Sequence, residues 1–264
     1  MANLREKLTE PGPLINAHRG YWRHAPENSR AAIMAAGSFD MVEIDVQLSA
    51  DGVPFVMHDP TLQRTAGLPD AVGSLTAAQL VNTQLLQSEE TVPTLDDALK
   101  SGPDHLLFDI DVKNPDELDA VGAYLASCIE RDRVMIKRDV RDPESLSKLL
   151  DLQERCGVTV IAKIKLQKLA DVLLVEQAFD AGVVAAEVAF ARTEFLISAC
   201  ATGLPISVYT LDEIACDGFS DEKGRQNPEA VWGRLADIGV RLIMTDAPAE
   251  AAHHFAGSRY SQIV

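Results

Sequence analysis

His18 and His58 each close a short apolar run, and the chain also carries Glu43-Ile44-Asp45 and Asp109-Ile110-Asp111-Val112-Lys113. These are the residue types that phosphoryl transfer needs. Carboxylates at i and i+2 of a strand share one face, so Glu43 with Asp45, and Asp109 with Asp111 and Lys113, each point in a common direction. Whether that face is a barrel interior or an outer layer under helices, adjacent carboxylates are costly to bury unless something cationic neutralises them. Three carboxylates gathered at one barrel mouth make a hard-oxygen site suited to one divalent cation, Mg²⁺ or Ca²⁺. Arg19 and Lys113 add donors for non-bridging phosphate oxygens. Two histidines on opposite sides of a phosphorus centre can protonate a leaving oxygen and deprotonate a nucleophile. Each piece has an ordinary alternative: a strand-end His beside an Arg is commonly structural, and an E-x-D pair can be salt-bridged to covering helices. Joint occurrence at successive strand ends favours chemistry. His24, His105, His253 and His254 lack that placement and read as surface or structural residues.

The elements that must position these groups alternate along the chain. Strand-like runs occur at Leu14–Ala17, Met41–Val46, Val53–Met57, Leu106–Val112, Val134–Lys137, Val158–Ile164, Val184–Val188, Ile206–Tyr209 and Val240–Met244. Most are nearly continuous apolar stretches, as in a parallel sheet covered on both faces. Helical patterns lie between them. Asn28 or Ser29 can cap one through Ala36, Asn114-Pro115 and Asp142-Pro143 open two more, and Gly157 and Gly182 stand where a left-handed C′ residue belongs. The alternation predicts a (β/α)₈ TIM barrel in one domain over residues 1–264, with functional residues at the C-terminal ends of its strands. Nine runs exceed the eight a barrel needs. The turn Ser49-Ala50-Asp51-Gly52 is too short for a parallel crossover, so Val53–Met57 is expected as an antiparallel excursion at the mouth. Residues 61–94 fit no βα unit and read as a small insertion or lid after His58-Asp59, with one helical pattern at Thr76–Leu85. Residues 212–227 read as a polar loop beside the mouth.

Whole-chain composition bounds the partners. The 264 residues carry 40 Asp and Glu against 24 Lys and Arg, a formal charge of −16. That balance argues against nucleic acid and against an anionic membrane surface. It also means that a phosphate would be repelled unless a metal ion or a few placed cations reverse the local field. The four cysteines form no CxxC pair, and no apolar stretch suits a signal peptide or a membrane span. A cytoplasmic enzyme acting on a small molecule is expected.

The run AHRGYWRHAPENS, followed by VEIDVQLSADGVPFVMHDPTLQRT, closely resembles glycerophosphodiester phosphodiesterases, nearly position for position. VPTLDDAL, ISVYTLD and GVRLIMTDAP resemble further family segments, so the likeness covers almost the whole chain. It implies a metal-dependent phosphodiesterase of lipid metabolism on a (β/α)₈ barrel with an insertion after the HD motif. By resemblance the acid–base histidines fall on His18 and His58, the metal carboxylates on Glu43 and Asp45, the phosphate-binding Arg on Arg19, and the PEN glutamate on Glu27. The family's E-x-K motif falls on Asp111 and Lys113. Asp stands where Glu is usual, as it does in the related sphingomyelinase-D-type barrels, and is kept as third ligand. Tyr209 replaces a family Trp in the substrate-pocket wall. Lys137-Arg138-Asp139 replaces an S-S-F segment, which is expected to add cations at the mouth and to suit a polar alcohol. A sugar phosphodiester of the agrocinopine type is the nearest alternative substrate, and an idle phosphate-binding barrel is a more distant one. A phosphotriesterase-like site is disfavoured by the lack of an H-x-H pair. Family members often associate, so a homo-oligomer is implied by resemblance alone.

Overall fold

The computed structural model describes residues 3–255. Its strands are β1 (Leu14–Ala17), β2 (Met41–Leu48), β3 (Pro54–Val56), β4 (Leu107–Val112), β5 (Val134–Asp139), β6 (Thr159–Leu166), β7 (Ala186–Phe190), β8 (Ile206–Tyr209) and β9 (Leu242–Thr245). All but β3 run parallel in sequence order, and β1 pairs with both β2 and β9, which closes the (β/α)₈ barrel. β3 lies antiparallel on β2, with Val46 opposite Val56 and Leu48 opposite Pro54. The turn that allows this return has Gly52 at φ +80°, and Ser49 Oγ accepts from the Val53 N–H at 2.9 Å. A side chain at position 52 would be strained by that φ.

Strand alternation sorts the side chains into two layers. Ile15, Val42, Ile44, Phe108, Ile110 and Ile136 are buried in the main core under the helices. Leu14, Met41, Leu107, Met135, Ile161 and Leu242 form a separate cluster that fills the barrel floor. Each fully buried side chain of this size contributes about 1.5–3 kcal/mol. Two residues further along the same faces, the inward positions become polar: Asn16, Glu43, Asp109, Lys137, Lys163 and Glu187. The apolar floor therefore carries a charged layer, and that layer lies below the C-terminal mouth.

Helix boundaries follow their caps. Ser29, not Asn28, caps Arg30–Ala35 by accepting from the Ala32 N–H, and Asp142 caps Pro143–Cys156 by accepting from Ser145. Gly157 ends the latter at φ +62°. Asn114 starts a short 3₁₀ turn, Pro115–Glu117, that leads into Leu118–Ala126. Two expectations are corrected. The helix sought at Thr76–Leu85 is only Ala77–Leu80, because Gln84 leaves it to bridge Thr91 and Leu85 N–H donates to Glu90 O. The polar stretch 212–227 is not all loop: Ser220 caps a helix at Asp221–Gln226, with Asp221 and Glu222 in its first turn, where the dipole favours acids. The segment after His58 packs on a small cluster of its own, including Phe55, Leu62, Val72, Leu80 and Val92. Among the described residues, no helix is long and apolar enough to cross a membrane.

Candidate active site

The mouth of the barrel opens into a cavity of about 1040 Å³, lined by His18, Arg19, Glu27, Glu43, Asp45, His58, Asp111, Lys113 and Tyr209 among others. Every residue given a catalytic, substrate-binding or metal role from the sequence thus faces one space, whereas Asp109 is not among its lining residues. Glu43 and Asp45 come from β2, and Asp111 comes from β4, in register beside Asp45. A ligand oxygen from each of the three lies within 4.8 Å of the others. Burial, with the Asp45 charge next, pushes the Glu43 carboxyl well above its ordinary range. Burial would raise Asp111 too, but the ammonium groups of Lys137, Lys163 and Lys113 outweigh it and hold Asp111 low. A set of carboxylate oxygens, two of its residues fully buried, is the donor chemistry a hard divalent ion selects. The residues present therefore fit such an ion.

The loop after β1 brings cations onto this cluster. Arg19 is left-handed at φ +56°, followed by Gly20 at φ +91°. A Cβ at Gly20 would stand 2.8 Å from Ala32 Cβ and 2.9 Å from its carbonyl carbon, so the turn admits only glycine. A non-glycine residue held left-handed is a strained conformation of the kind found at working sites. It aims the Arg19 N–H at Glu43 Oε2 (3.2 Å) and puts its Nε 3.3 Å from Asp45 Oδ2. Asn28, also left-handed at φ +58°, donates from Nδ2 to Asp45 Oδ2 at 2.9 Å. That contact explains why the neighbouring serine takes the cap.

Each histidine has Nδ1 tied to an aspartate. His18 Nδ1 lies 2.8 Å from Asp246 Oδ1, and its Nε2 is 4.0 Å from Glu43 Oε2. His58 Nδ1 lies 2.7 Å from Asp59 Oδ1. Arg64 donates twice to Asp59, Nε at 2.7 Å, and twice to Glu27, which also receives Arg19 Nη1 at 3.1 Å. The Arg64 hydrogen bonds, followed by that from His58, hold Asp59 well below the carboxylate range against burial. Gln47 Nε2 pins the excursion by donating to the carbonyls of Met57 and Asp59 at 2.8 and 2.7 Å.

Several partners were not singled out from the sequence. Asp246 follows β9, and its own N–H donates to buried Asp221 at 2.8 Å; Asp221 also accepts from the hydroxyls of Thr210 and Thr245. Burial raises Asp221 to about 6. Lys163, on β6, donates to Asp111 Oδ1 at 3.1 Å, while Lys113 spans Asp45 at 3.1 Å and Asp111 at 3.3 Å. Lower down, Lys137 Nζ sits 3.0 Å from Asp109 and 2.9 Å from Glu187. The cations expected from Lys137-Arg138 are accordingly corrected. Lys137 is spent on buried carboxylates, and Arg138, one residue on, has the opposite strand phase and is not among the cavity-lining residues. Asp109, in register with Glu43, is likewise taken up, accepting from Asn16 Nδ2 at 2.8 Å, and is not among the cavity-lining residues. Tyr209 forms part of the wall, its hydroxyl pushed up by burial.

Comparison with known proteins places this arrangement. Residues 18–250 match the model of the glycerophosphoryl diester phosphodiesterase family. A probable glycerophosphodiester phosphodiesterase 2 of Mycobacterium tuberculosis is 32% identical over 134 residues, half of each chain. The Bos taurus glycerophosphodiester phosphodiesterase 1 is 36% identical over 107 residues, 36% of this chain and 32% of that one. The chain thus aligns with half or less of the length of these relatives. Among solved structures, a glycerophosphoryl diester phosphodiesterase from Parabacteroides distasonis superposes with a TM-score of 0.75 at 20% identity, over 100% of this chain and 96% of that one. A phosphodiesterase from Oleispira antarctica, in complex with sn-glycerol-3-phosphate, gives 0.70 at 20% identity, over 92% and 96%. With a family match running from His18 through the C-terminal strand and a barrel of the same fold, the chain belongs to the glycerophosphoryl diester phosphodiesterase family.

Proposed function

We propose that this chain is a divalent-cation-dependent phosphodiesterase that hydrolyses a glycerophosphodiester-type substrate to an alcohol and a phosphomonoester, with His18 and His58 as its acid–base pair. The observation that carries this reading is the convergence of two aspartate-held imidazoles and a three-carboxylate cluster on one cavity. Glu43, Asp45 and Asp111 would hold Mg²⁺ or Ca²⁺, which, when bound, draws charge from the diester oxygens. Arg19 and Lys113 reach the same cluster and supply preorganised positive charge for the phosphoryl oxygens. Glu27 keeps the Arg19 and Arg64 guanidinium groups together, so the two histidine loops are braced against each other. One imidazole takes the proton of the attacking hydroxyl as its oxygen bonds to phosphorus. The other gives a proton to the departing alkoxide as the P–O ester bond breaks, so the alcohol leaves neutral. Asp246 and Asp59 fix the tautomer in which Nδ1 carries hydrogen and Nε2 is free to exchange the proton. The solved Oleispira complex with sn-glycerol-3-phosphate supports a glycerol phosphate as the retained half.

The test is turnover of glycerophosphodiesters by wild type, His18→Ala and His58→Ala, before and after EDTA treatment. Each variant should lose at least roughly 10²-fold in kcat, the usual worth of one acid or base. Mg²⁺ or Ca²⁺ should restore the chelated wild type, and the better of the two identifies the ion. Wild-type rates in both variants would sink the acid–base assignment, and activity surviving complete chelation would sink the carboxylate site.

A further inference from the structure

Six of the cations lining the cavity are held by carboxylates: Arg19, Arg64, Lys113, Lys137, Lys163 and Arg141 each have one within 3.3 Å. Lys165 lines the same cavity, and among the described residues no carboxylate lies within 4.0 Å of it. It shares the inward phase of β6 with Lys163, one step nearer the mouth. Its register partner on β7 is Ala189, whose methyl leaves open space where Glu187 stands opposite Lys163 one layer below. Three acids of the same rim, Asp171, Asp139 and Asp212, are engaged elsewhere. Asp171 accepts from the backbone N–H groups of Gln167 and Lys168 at 2.8 and 3.0 Å, and Asp139 is bound to Arg141 at 2.6 Å. Asp212 accepts from the Glu222 N–H at 2.7 Å.

From this we infer that Lys165 reads the leaving half of the diester, and that the preferred alcohol carries a second anionic group, a carboxylate or a phosphate. The inference rests on the phosphodiesterase reading and adds the substrate class to it. Lys163 Nζ touches Asp111, so it marks the depth of the carboxylate cluster. Positions i and i+2 of a strand are about 7 Å apart. A second anion separated from the scissile phosphorus by a two- or three-carbon alcohol spans that distance. An ammonium group with open space beside it and no internal partner is the complement of such a group. A neutral or cationic alcohol gains nothing there.

The experiment measures kcat/KM for three synthetic diesters of glycerol phosphate, with glycerol, glycerate or glycerol phosphate as the alcohol, at fixed ionic strength with Mg²⁺ or Ca²⁺. Wild type should favour one or both anionic alcohols by roughly tenfold over glycerol, and the preference should shrink as salt is raised. The glycerate and glycerol phosphate arms tell carboxylate from phosphate. Lys165→Met should abolish the preference while moving the glycerol diester less than twofold, and Lys165→Arg should retain it. A wild type without preference for either anionic diester, or a Lys165→Met variant that keeps the preference, overturns the assignment. A wild type that turns over the glycerol diester but shows no preference refutes Lys165 alone. One that turns over none of the three refutes the phosphodiesterase reading beneath it.

Discussion

Replacing Lys137 with Met should cost more stability than any change at the cavity mouth. Lys137 Nζ is buried between Asp109 and Glu187, at 3.0 and 2.9 Å, and the three side chains are 1%, 1% and 5% exposed. Methionine preserves the apolar stem and removes only the charge, so the perturbation isolates two buried carboxylates without opening a large cavity. Removing one partner of a buried pair costs about 3–5 kcal/mol, because the remaining charge keeps its desolvation penalty. For a chain of this size each kcal/mol lowers Tm by about 2–4 °C, which gives a fall of roughly 6–20 °C. The sign of the pH dependence follows. In the variant the carboxylates escape by taking up protons, so their folded-state pKa values lie above those of the unfolded chain. The folded variant then holds protons that the unfolded chain has released, and its deficit against wild type grows as pH rises from about 5 to 8. Urea denaturation followed by circular dichroism at pH 5.5 and pH 8 reads both quantities. A deficit below about 1 kcal/mol at pH 8, or one equal at the two pH values, refutes the claim that Lys137 neutralises this layer.

Asp246→Asn should lower kcat by roughly 10²-fold with KM within about threefold, since the amide no longer stabilises His18 with Nδ1 protonated; steady-state kinetics at saturating metal decide it, and an unchanged kcat removes Asp246 from the reading. Asp221 sits at about 6 in the fold, against an ordinary 3.8, with burial the first cause. Between those values the folded protein holds a proton that the unfolded chain has lost, so this group's contribution falls as pH rises through the window, by about 3 kcal/mol in all. Asp221→Asn should flatten the stability profile between pH 4 and 6, and chemical denaturation across that range will show whether it does.

The elements legible from local pattern were those set by local rules. All nine strand runs formed, and the antiparallel return at β3 followed from the length of the Ser49–Gly52 turn. The i, i+2 phase of Glu43 with Asp45 and of Asp109 with Asp111 put their side chains on the inner face, and β2–β4 pairing then set the two strands in register. Contacts that depend on closure were not legible. His18 meets Asp246 across 228 positions, and Lys163 meets Asp111 across 52, so neither pairing leaves a trace in spacing. Strand phase alone would have excluded Arg138 from the cavity, because it alternates with Lys137. Asp109 shares the inward phase of Asp111 and stands in register with Glu43, yet its carboxylate is taken up by Lys137 and Asn16, partners on other strands that spacing does not reveal. Asp221 was hidden for another reason. Its glycine-rich, polar surroundings read as loop, whereas Ser220 followed by two acids is a helix start that places the carboxyl under β8 and β9.

An acidic chain must still receive an anion, and the charged layer explains how. Glu43, Asp45, Asp109, Asp111 and Glu187 are opposed by Arg19, Lys113, Lys137 and Lys163, one cation fewer than the acids. The deficit is concentrated on β2, where burial lifts Glu43 well above its ordinary range. A divalent ion held there would leave the layer with one positive charge in excess, matched by the single charge of a phosphodiester. The lysines do not merely neutralise the acids, because they keep Asp111 ionised at the level where Glu43 and Asp45 converge. Without them a third carboxylate beside two buried ones would take up a proton and lose its value as a ligand. The surplus of acids over the whole chain is therefore compatible with anion binding, because the field that the substrate meets is set by these few groups inside the barrel.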